Sequence, residues 1–269
     1  MKTTKLLIIT IAIILFSSCM PKFYYQVYKA TPVNASQTTN DALVFEDNNC
    51  KISYNFWDKG GDAGFSFYNK TDNNIYINKE ECFFILNGIA YDYFKNRVYT
   101  SSSNVGSNTG VVSSLNVSYS QSVSVLGNTT VGSGYSVSFA EEKVICIPPH
   151  SSKIISEYNI NESLYRNCDL YLYPSKREIK AKEFTKADSP FIFSNRISYI
   201  LGKTGNTVVL VNDFFVSEIT NYPEKEITEW KFDEFCGKRS MIMTKYVNNV
   251  SPDKFYIYYM DKNDDWGGH

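Results

Sequence analysis

Short apolar segments that alternate with polar residues, separated by turn residues, constrain the fold of this chain most. Between residues 50 and 57, Ile52, Tyr54 and Phe56 fall on one face of a predicted strand. Asn87-Gly88 separates two apolar segments, and this dipeptide is the strongest short-range signal for a β-hairpin. The 21 Tyr and 18 Phe residues also favour strands. The pattern predicts an all-β protein, specifically an antiparallel β-sandwich of immunoglobulin-like type, with two packed β lobes as the alternative.

The second half of the chain continues this pattern with little helix. Residues 163–167 and 224–235 are the two segments predicted as short helices. An early strand is predicted at residues 23–28, and later ones at 143–147, 191–201, 207–216, 241–247 and 255–260.

The segment 100–140 differs from the rest because it contains no charged residue and is rich in Ser, Asn, Thr, Gly and Val. Apolar and polar residues alternate from 117 to 126 and again from 131 to 140, on either side of Gly127-Asn128-Thr129-Thr130. This predicts a two-stranded ribbon inserted into the sandwich. A Ser-rich loop that merely extends the sandwich is one interpretation. The other is a membrane-inserting hairpin, residues 116–139, used in an oligomer.

The first 18 residues have the three parts of a secretory signal. Lys2 and Lys5 precede an apolar run at residues 6–16, and Ser17-Ser18 precede Cys19. The apolar run is too short for a transmembrane helix, which needs about 20 residues. Ser17-Ser18-Cys19 resembles the lipobox of bacterial lipoproteins, with Phe16 where Leu is common. The resemblance implies cleavage before Cys19 and acylation of that cysteine.

These features predict three regions of the chain. Residues 1–18 are the lipoprotein signal peptide, 19–40 the lipid anchor and tether, and 41–269 the β-sandwich body with its insertion at 100–140. No Asp follows Cys19, so the resemblance implies the outer membrane, with the periplasmic leaflet and the cell surface both open.

Two further stretches resemble uncharacterised lipoproteins of Bacteroides-type bacteria. One runs from residues 65–72 through residues 83–88, and the other is Ile147-Pro148-Pro149 followed by Ser151-Ser152-Lys153. These motifs are strands and turns. The resemblance therefore implies a lipid-anchored, β-rich protein and carries no activity to any residue.

Cysteine usage leaves the disulfide pattern open. With Cys19 assigned to lipid, an odd number remains: Cys50, Cys82, Cys146, Cys168 and Cys236. None is at CxxC spacing, which argues against a zinc or redox motif. One or two disulfides and simple buried thiols are both compatible with the sequence.

No motif for catalysis, cofactor binding or metal binding is found. His150 follows Pro148-Pro149 in a predicted loop and His269 ends the sequence, so neither has the setting of a positioned base. Gly202-Lys203-Thr204 lacks the first glycine of a phosphate-binding loop. Asp261, Asn263 and Asp265 are spaced like calcium ligands, but no bidentate Glu follows them, and a solvated acidic tail is the simpler interpretation.

Composition excludes one class of partner. The chain has 27 Lys and Arg against 28 Asp and Glu, and the leader accounts for two of the lysines. No basic surplus is available for nucleic acid. The sequence therefore predicts a non-enzymatic envelope protein, held to the membrane through its N-terminal lipid, that binds a protein or glycan ligand.

Overall fold

The computed structural model describes residues 22–34, 36–104 and 134–261. Their secondary structure is almost entirely antiparallel β, which confirms the all-β class. The immunoglobulin-like sandwich stays a prediction. The strands are β1 (Phe23–Pro32), β2 (Gln37–Thr38), β3 (Leu43–Glu46), β4 (Cys50–Tyr54), β5 (Phe65–Asn69), β6 (Ile75–Asn78), β7 (Phe83–Leu86), β8 (Ile89–Asp92), β9 (Val98–Asn104), β10 (Gly134–Ala140), β11 (Val144–Ile147), β12 (Ser152–Ile155), β13 (Ala181–Glu183), β14 (Ile192–Leu201), β15 (Thr207–Pro223), β16 (Thr228–Phe235), β17 (Lys238–Val247) and β18 (Lys254–Met260).

A nine-stranded sheet forms the larger part of the structure. Its main path runs β11-β6-β14-β15-β1-β18, with β13 beside β15 and the β7–β8 hairpin beside β14. β1 lies between two late strands, because Tyr24 pairs with both Pro223 of β15 and Tyr259 of β18. Residues 23–32 of the predicted tether 19–40 are therefore part of the sheet. The side chains of residues 24–28 are buried on both faces of β1, whereas a solvated tether would leave them exposed.

A five-stranded sheet, in the order β12-β5-β4-β3-β2, shares its hydrophobic core with the nine-stranded sheet. The contact between the two sheets is largely aromatic. Phe214 of β15 meets Tyr54 at a ring-centroid distance of 5.1 Å and Phe45 at 5.5 Å, both edge to face. Phe56 packs on Phe193 of β14 at 5.4 Å. Edge-to-face rings add to the free energy of burial, so the Tyr and Phe content read from the sequence forms this core.

The chain divides into two compact units, and the smaller, residues 94–143, encloses the predicted insertion 100–140. Its described part is the β9–β10 pair, in which Tyr99 faces Phe139. Glu141, which is buried, accepts hydrogen bonds from the backbone N–H groups of Lys95 (3.1 Å) and Arg97 (3.2 Å) and pairs with the Arg97 guanidinium. The described partner of β10 is thus β9, and the predicted pairing with residues 117–126 falls on residues outside the described ranges. Residues 105–133, which hold the rest of the predicted ribbon, lie outside the described residues.

Both predicted helices are wrong in the structure. Residues 163–167 have no helical turn, and of 224–235 only Glu224–Ile227 is helical, as α1. From Thr228 the chain is strand β16, in which side chains alternate between two faces. The remaining helical segments are two 3₁₀ turns, Lys79–Glu81 and Lys176–Glu178.

The predicted hairpin at Asn87-Gly88 is confirmed. It joins β7 to β8, and the φ angles of 49° and 83° at the two turn residues are those of a type I′ turn. The later predicted strands also form, as β11, β14, β15, β17 and β18.

The five described cysteines are unpaired. Cys50 and Cys82 are buried, and Cys146, Cys168 and Cys236 are exposed. Burial raises the pKa of Cys82 to about 11 and also raises that of Cys50. Both buried thiols are therefore protonated at neutral pH and react slowly.

Residues 1–21, with the predicted signal peptide and Cys19, lie outside the described residues. Within the described ranges, no helix has the length and apolar character needed to cross a membrane.

Candidate functional site

The histidine singled out in the sequence lies on the surface. His150 Nε2 is 2.9 Å from an Asp72 carboxylate oxygen, and more than half of the imidazole is exposed. An exposed His–Asp pair of this kind holds two loops together and has no nucleophile beside it in the contacts that the structure describes. His269 lies outside the described residues.

The other candidate motifs also have structural roles. Residues 202–204, which were compared with a phosphate-binding loop, form the turn between β14 and β15. Asp261 accepts a hydrogen bond from the backbone N–H of Lys22 at 3.1 Å, and residues 262–269 of the predicted calcium motif lie outside the described residues. In the described part of the chain no three His, Cys, Asp or Glu side chains are grouped to hold a metal ion.

A buried polar network holds the long connection between β12 and β13 against the centre of the large sheet. The fully buried Gln26 of β1 accepts a hydrogen bond from the Tyr165 N–H (2.7 Å) and donates to the Tyr165 carbonyl and to Asn221, both at 2.9 Å. The Tyr28 hydroxyl donates to Gln26 and accepts from Asn161. Burial raises the pKa of Tyr28, so its hydroxyl stays protonated and donating. The network is fully satisfied and serves to fix the connection.

The most unusual surface is a hairpin made by β16 and β17, which we call the projecting hairpin (residues 228–247). Its two strands pair only with each other among the described strands, and no residue in either is buried. Cys236 and Gly237, with φ of 51° and 72°, form a type I′ turn at its end. An isolated two-stranded hairpin is at best marginally stable in water, so an arrangement like this gains from a binding partner.

One face of the projecting hairpin combines aromatic and cationic side chains, and we call it the aromatic–cation face. The register places Trp230 opposite Lys245 and Phe232 opposite Met243. The Arg239 guanidinium lies over the Phe232 ring at 3.8 Å, and the Lys245 ammonium is 5.7 Å from the Trp230 ring centre. An open concavity of about 520 Å³ is bordered by Trp230, Lys231, Phe232, Glu234, Arg239 and Met243. Aromatic rings and arginine are the side chains most enriched in binding hot spots.

The opposite face is polar and holds the two strands together. The Asp233 carboxylate accepts hydrogen bonds from Thr244 Oγ1, at 2.6 Å, and from the Tyr246 hydroxyl. These donors lower the pKa of Asp233, and the carboxylate in turn raises that of Tyr246. Each face of the hairpin therefore has a distinct chemistry, and the aromatic–cation face is the one available for an apolar or flat ligand.

The root of the projecting hairpin is fixed beside the start of β1. Glu224 of α1 pairs with Lys245 and accepts a hydrogen bond from the Tyr258 hydroxyl at 3.2 Å. Tyr258 stacks on Phe23, the first residue of β1, at 5.2 Å. Ile227, only 3 % exposed, packs against the outer side of β1. These contacts hold the root against the large sheet. The exposed part of the projecting hairpin begins after Ile227, where α1 ends.

A cavity of about 430 Å³ joins these elements at the same place. The start of β1, the first residues of α1 and the 3₁₀ turn Lys176–Glu178 form its walls. Its charged side chains are mixed in sign: Lys22, Lys176 and Lys225 lie with Glu178 and Glu224. Glu178 is held by the backbone N–H of Ser175 at 2.8 Å, which lowers its pKa. One more lysine than glutamate is too small a surplus to select one class of ligand.

Sequence reasoning missed the projecting hairpin because it assigned residues 224–235 to a helix. The signal was present: Trp230 and Phe232 alternate with Lys231 and Asp233, which is a strand period, and Gly237 follows as a turn residue. The apolar periodicity of an amphipathic helix is absent beyond Ile227. Comparison of the chain with family models, curated proteins and solved structures finds no match in any of the three.

Proposed function

We propose that the chain is a non-enzymatic, lipid-anchored envelope protein that binds another envelope component or an extracellular ligand through the projecting hairpin. The observation that carries this proposal is the exposed aromatic–cation face on a hairpin whose two strands pair with no other described strand. A large exposed apolar surface on an otherwise well-packed protein marks an interaction site. A protein or glycan ligand fits the face, since both stack on Trp and pair with Arg and Lys.

The signal sequence and Cys19 support the proposed anchor, and the structure is compatible with it in one respect. Lys22 is the first described residue, and its backbone pairs with Asp261 at 3.1 Å in both directions. Lys22 is three positions after Cys19, which is at most about 10 Å of extended chain. A lipid on Cys19 would therefore hold the sheet close to the membrane surface.

The anchor is tested by metabolic labelling with an alkyne fatty acid, comparing the native chain with Cys19→Ala. We expect label and outer-membrane fractionation for the native chain and neither for Cys19→Ala. Label on both proteins, or on neither, would remove the anchor from the proposal.

The binding surface is tested with Trp230→Ala combined with Met243→Ala, measured by binding of the purified protein to isolated cell envelopes and to glycan arrays. Hot-spot side chains contribute about 2 kcal/mol or more each, so binding should fall at least roughly tenfold. The matched control is Val209→Ala with Val211→Ala, which are exposed on β15 away from the hairpin. Equal binding by both variants would show that the aromatic–cation face is not the site.

A membrane-inserting oligomer that uses residues 116–139 is the second candidate. The β9–β10 pair favours it, because residues 134–139 of that segment form one strand of a two-stranded antiparallel ribbon with residues 99–104. The test is conductance across a planar lipid bilayer, with a chain in which residues 116–139 are replaced by a short Gly-Ser linker as control. Conductance with the native chain that is lost in the replacement variant supports this candidate. No conductance with the native chain rejects it.

A further inference from the structure

The end of the projecting hairpin is more apolar and more exposed than any other part of it. Phe235, Met241 and Ile242, which we call the tip, are 82 %, 98 % and 71 % exposed. Met241 and Ile242 lie where the strand pairing is irregular. Between the pairs Phe232–Met243 and Glu234–Arg239, β17 has three residues and β16 has one. Scattered single apolar residues on a surface need no explanation, whereas three beside one turn do.

Apolar and cationic side chains are mixed at the end of the hairpin. Lys238 pairs with Phe235 next to the turn, Arg239 follows, and Met241 and Ile242 come after them on β17. Trp230 and Tyr246 lie further towards the root, and both are exposed. Exposed apolar residues beside Lys and Arg, with Trp and Tyr nearby, are typical of a surface that lies in the interface of a phospholipid bilayer.

The hairpin also starts where the proposed anchor would be. Its root is connected through Tyr258 to Phe23, four residues after Cys19. Ten residues of strand span about 33 Å, so a hairpin that lies along the bilayer holding Cys19 brings its tip into contact with that bilayer. This step rests on the proposed lipid anchor.

We propose that the tip of the projecting hairpin inserts into the interfacial layer of the phospholipid membrane that carries the anchored chain. Insertion is shallow, because Lys238 and Arg239 lie among the apolar residues at the end of the hairpin. Their long side chains keep the charges at the level of the phosphates while Phe235, Met241 and Ile242 enter the acyl region. Two attachments, the lipid and the tip, would fix the orientation of the sheet relative to the membrane.

A second copy of the chain is the competing occupant, and charge disfavours it. In a symmetric contact between two tips, Lys238 and Arg239 of one copy would face the same residues of the other. Like charges placed opposite each other destabilise a strand contact. A membrane with anionic lipids has no such conflict.

The experiment uses the acylated full chain, purified and returned to vesicles of phosphatidylcholine and phosphatidylglycerol in equal parts. Cys236, in the turn beside the tip, and Cys146, on β11, are both exposed and give a matched pair of labelling sites. One protein carries an NBD fluorophore on Cys236, with Cys146→Ser and Cys168→Ser. The other carries it on Cys146, with Cys168→Ser and Cys236→Ser. The buried Cys50 and Cys82 do not compete for label.

Quenching by doxyl-labelled lipids reports contact with the bilayer. We expect severalfold stronger quenching at Cys236 than at Cys146. We also expect Phe235→Ser with Met241→Ser to abolish the difference, while Ile154→Ser, an exposed apolar site on β12, leaves it unchanged. Near-ultraviolet circular dichroism checks that each variant keeps the native packing.

Three results distinguish a failure of tip insertion from a failure of the lipid anchor. Equal quenching at the two sites in an acylated, membrane-bound protein overturns the inference and leaves the anchor in place. Strong quenching at Cys236 in a protein that is not acylated supports insertion and rejects the anchor. Disulfide cross-linking between Cys236 of two copies, without lipid quenching, overturns insertion in favour of a dimer.

Discussion

Gly61 and Gly88 have similar backbone conformations but differ in the space around them. Replacing each by alanine therefore distinguishes the cost of a left-handed conformation from the cost of overpacking. Gly61 has φ of +77°, and a Cβ there would lie 2.7 Å from Phe255 Cγ in the core. Gly88 has φ of +83°, with nothing within 4 Å of a Cβ. Gly61 is therefore required twice, for its φ and for the approach of the Phe255 ring.

We predict that Gly61→Ala lowers the free energy of unfolding by about 3 kcal/mol, and Gly88→Ala by about 1 kcal/mol. The common part is the cost of a left-handed residue, and the additional part is overpacking against Phe255. Urea denaturation of the two variants and the native chain measures both. Equal losses would mean that the core near Phe255 yields to the added methyl group.

Gln26 is the residue on which the polar network depends. We predict that Gln26→Leu lowers the free energy of unfolding by about 2–4 kcal/mol, because Tyr165, Asn221 and the Tyr28 hydroxyl each lose a buried partner. Hydrogen exchange at the Tyr165 amide should accelerate at the same time. Gln37→Leu on the exposed strand β2 is the control, and we expect less than about 0.5 kcal/mol.

At the scale of secondary-structure elements, the projecting hairpin has its own dependence on pH. Hydrogen bonds from Thr244 and then Tyr246 hold the pKa of Asp233 below its usual 3.8. A lowered folded-state pKa contributes stability that is present above the unfolded value and is lost as pH falls through the folded one. The contacts should therefore weaken only below about pH 4.

We predict that the amide and side-chain NMR signals of Thr244 and Tyr246 change as the pH falls below about 4, while the large sheet keeps its signals. Asp233→Asn should remove this titration, since an amide has no proton to gain. A titration that survives in Asp233→Asn would assign it to another group of the hairpin.

The elements that sequence alone predicted well are those with local signals. Alternation marks β4 and β14, and Asn87-Gly88 marks the β7–β8 turn, since each signal lies within a few residues. The position of β1 between β15 and β18 has no local signal, because its partners are about 200 residues away in sequence. The strand predicted at residues 23–28 is confirmed, but the sequence assigned it to the tether 19–40, whereas it lies between β15 and β18 in the large sheet.

The candidate surface was missed for a related reason. Residues 228–235 alternate over only four positions on each face, and the exposure of Trp230 and Phe235 cannot be read from their apolar character. Sequence patterns predict which residues prefer burial, whereas the projecting hairpin consists of residues that are not buried despite that preference. Cys19 remains a prediction of sequence alone.

For the whole molecule, the two ends of the described chain are neighbours. The backbones of Lys22 and Asp261 are hydrogen-bonded, whereas Gly202 and Gly205 belong to an exposed turn between β14 and β15. A chain that joins residue 261 to residue 22 by a short linker and opens at this turn would keep every described strand intact.

We predict that this circular permutant folds, with a midpoint of thermal unfolding within about 10 °C of the native chain, since each kcal/mol lost shifts it by a few degrees. A permutant opened between Phe214 and Phe215 cuts β15 where it pairs with both β1 and β14, and should not fold. Circular dichroism and thermal melts distinguish the two. Equal stability of both would contradict the central role of β15.

The place of β1 also sets the order of events during synthesis. This strand, FYYQVYKATP, is among the first parts of the body to leave the ribosome, and its neighbours β15 and β18 are among the last. Until then its aromatic side chains and both hydrogen-bonding edges have no partner in the sheet, which is the condition that invites aggregation. Contacts so distant in sequence also make folding slow. A cell that makes this protein must therefore protect β1 from aggregation until β15 and β18 have been synthesised.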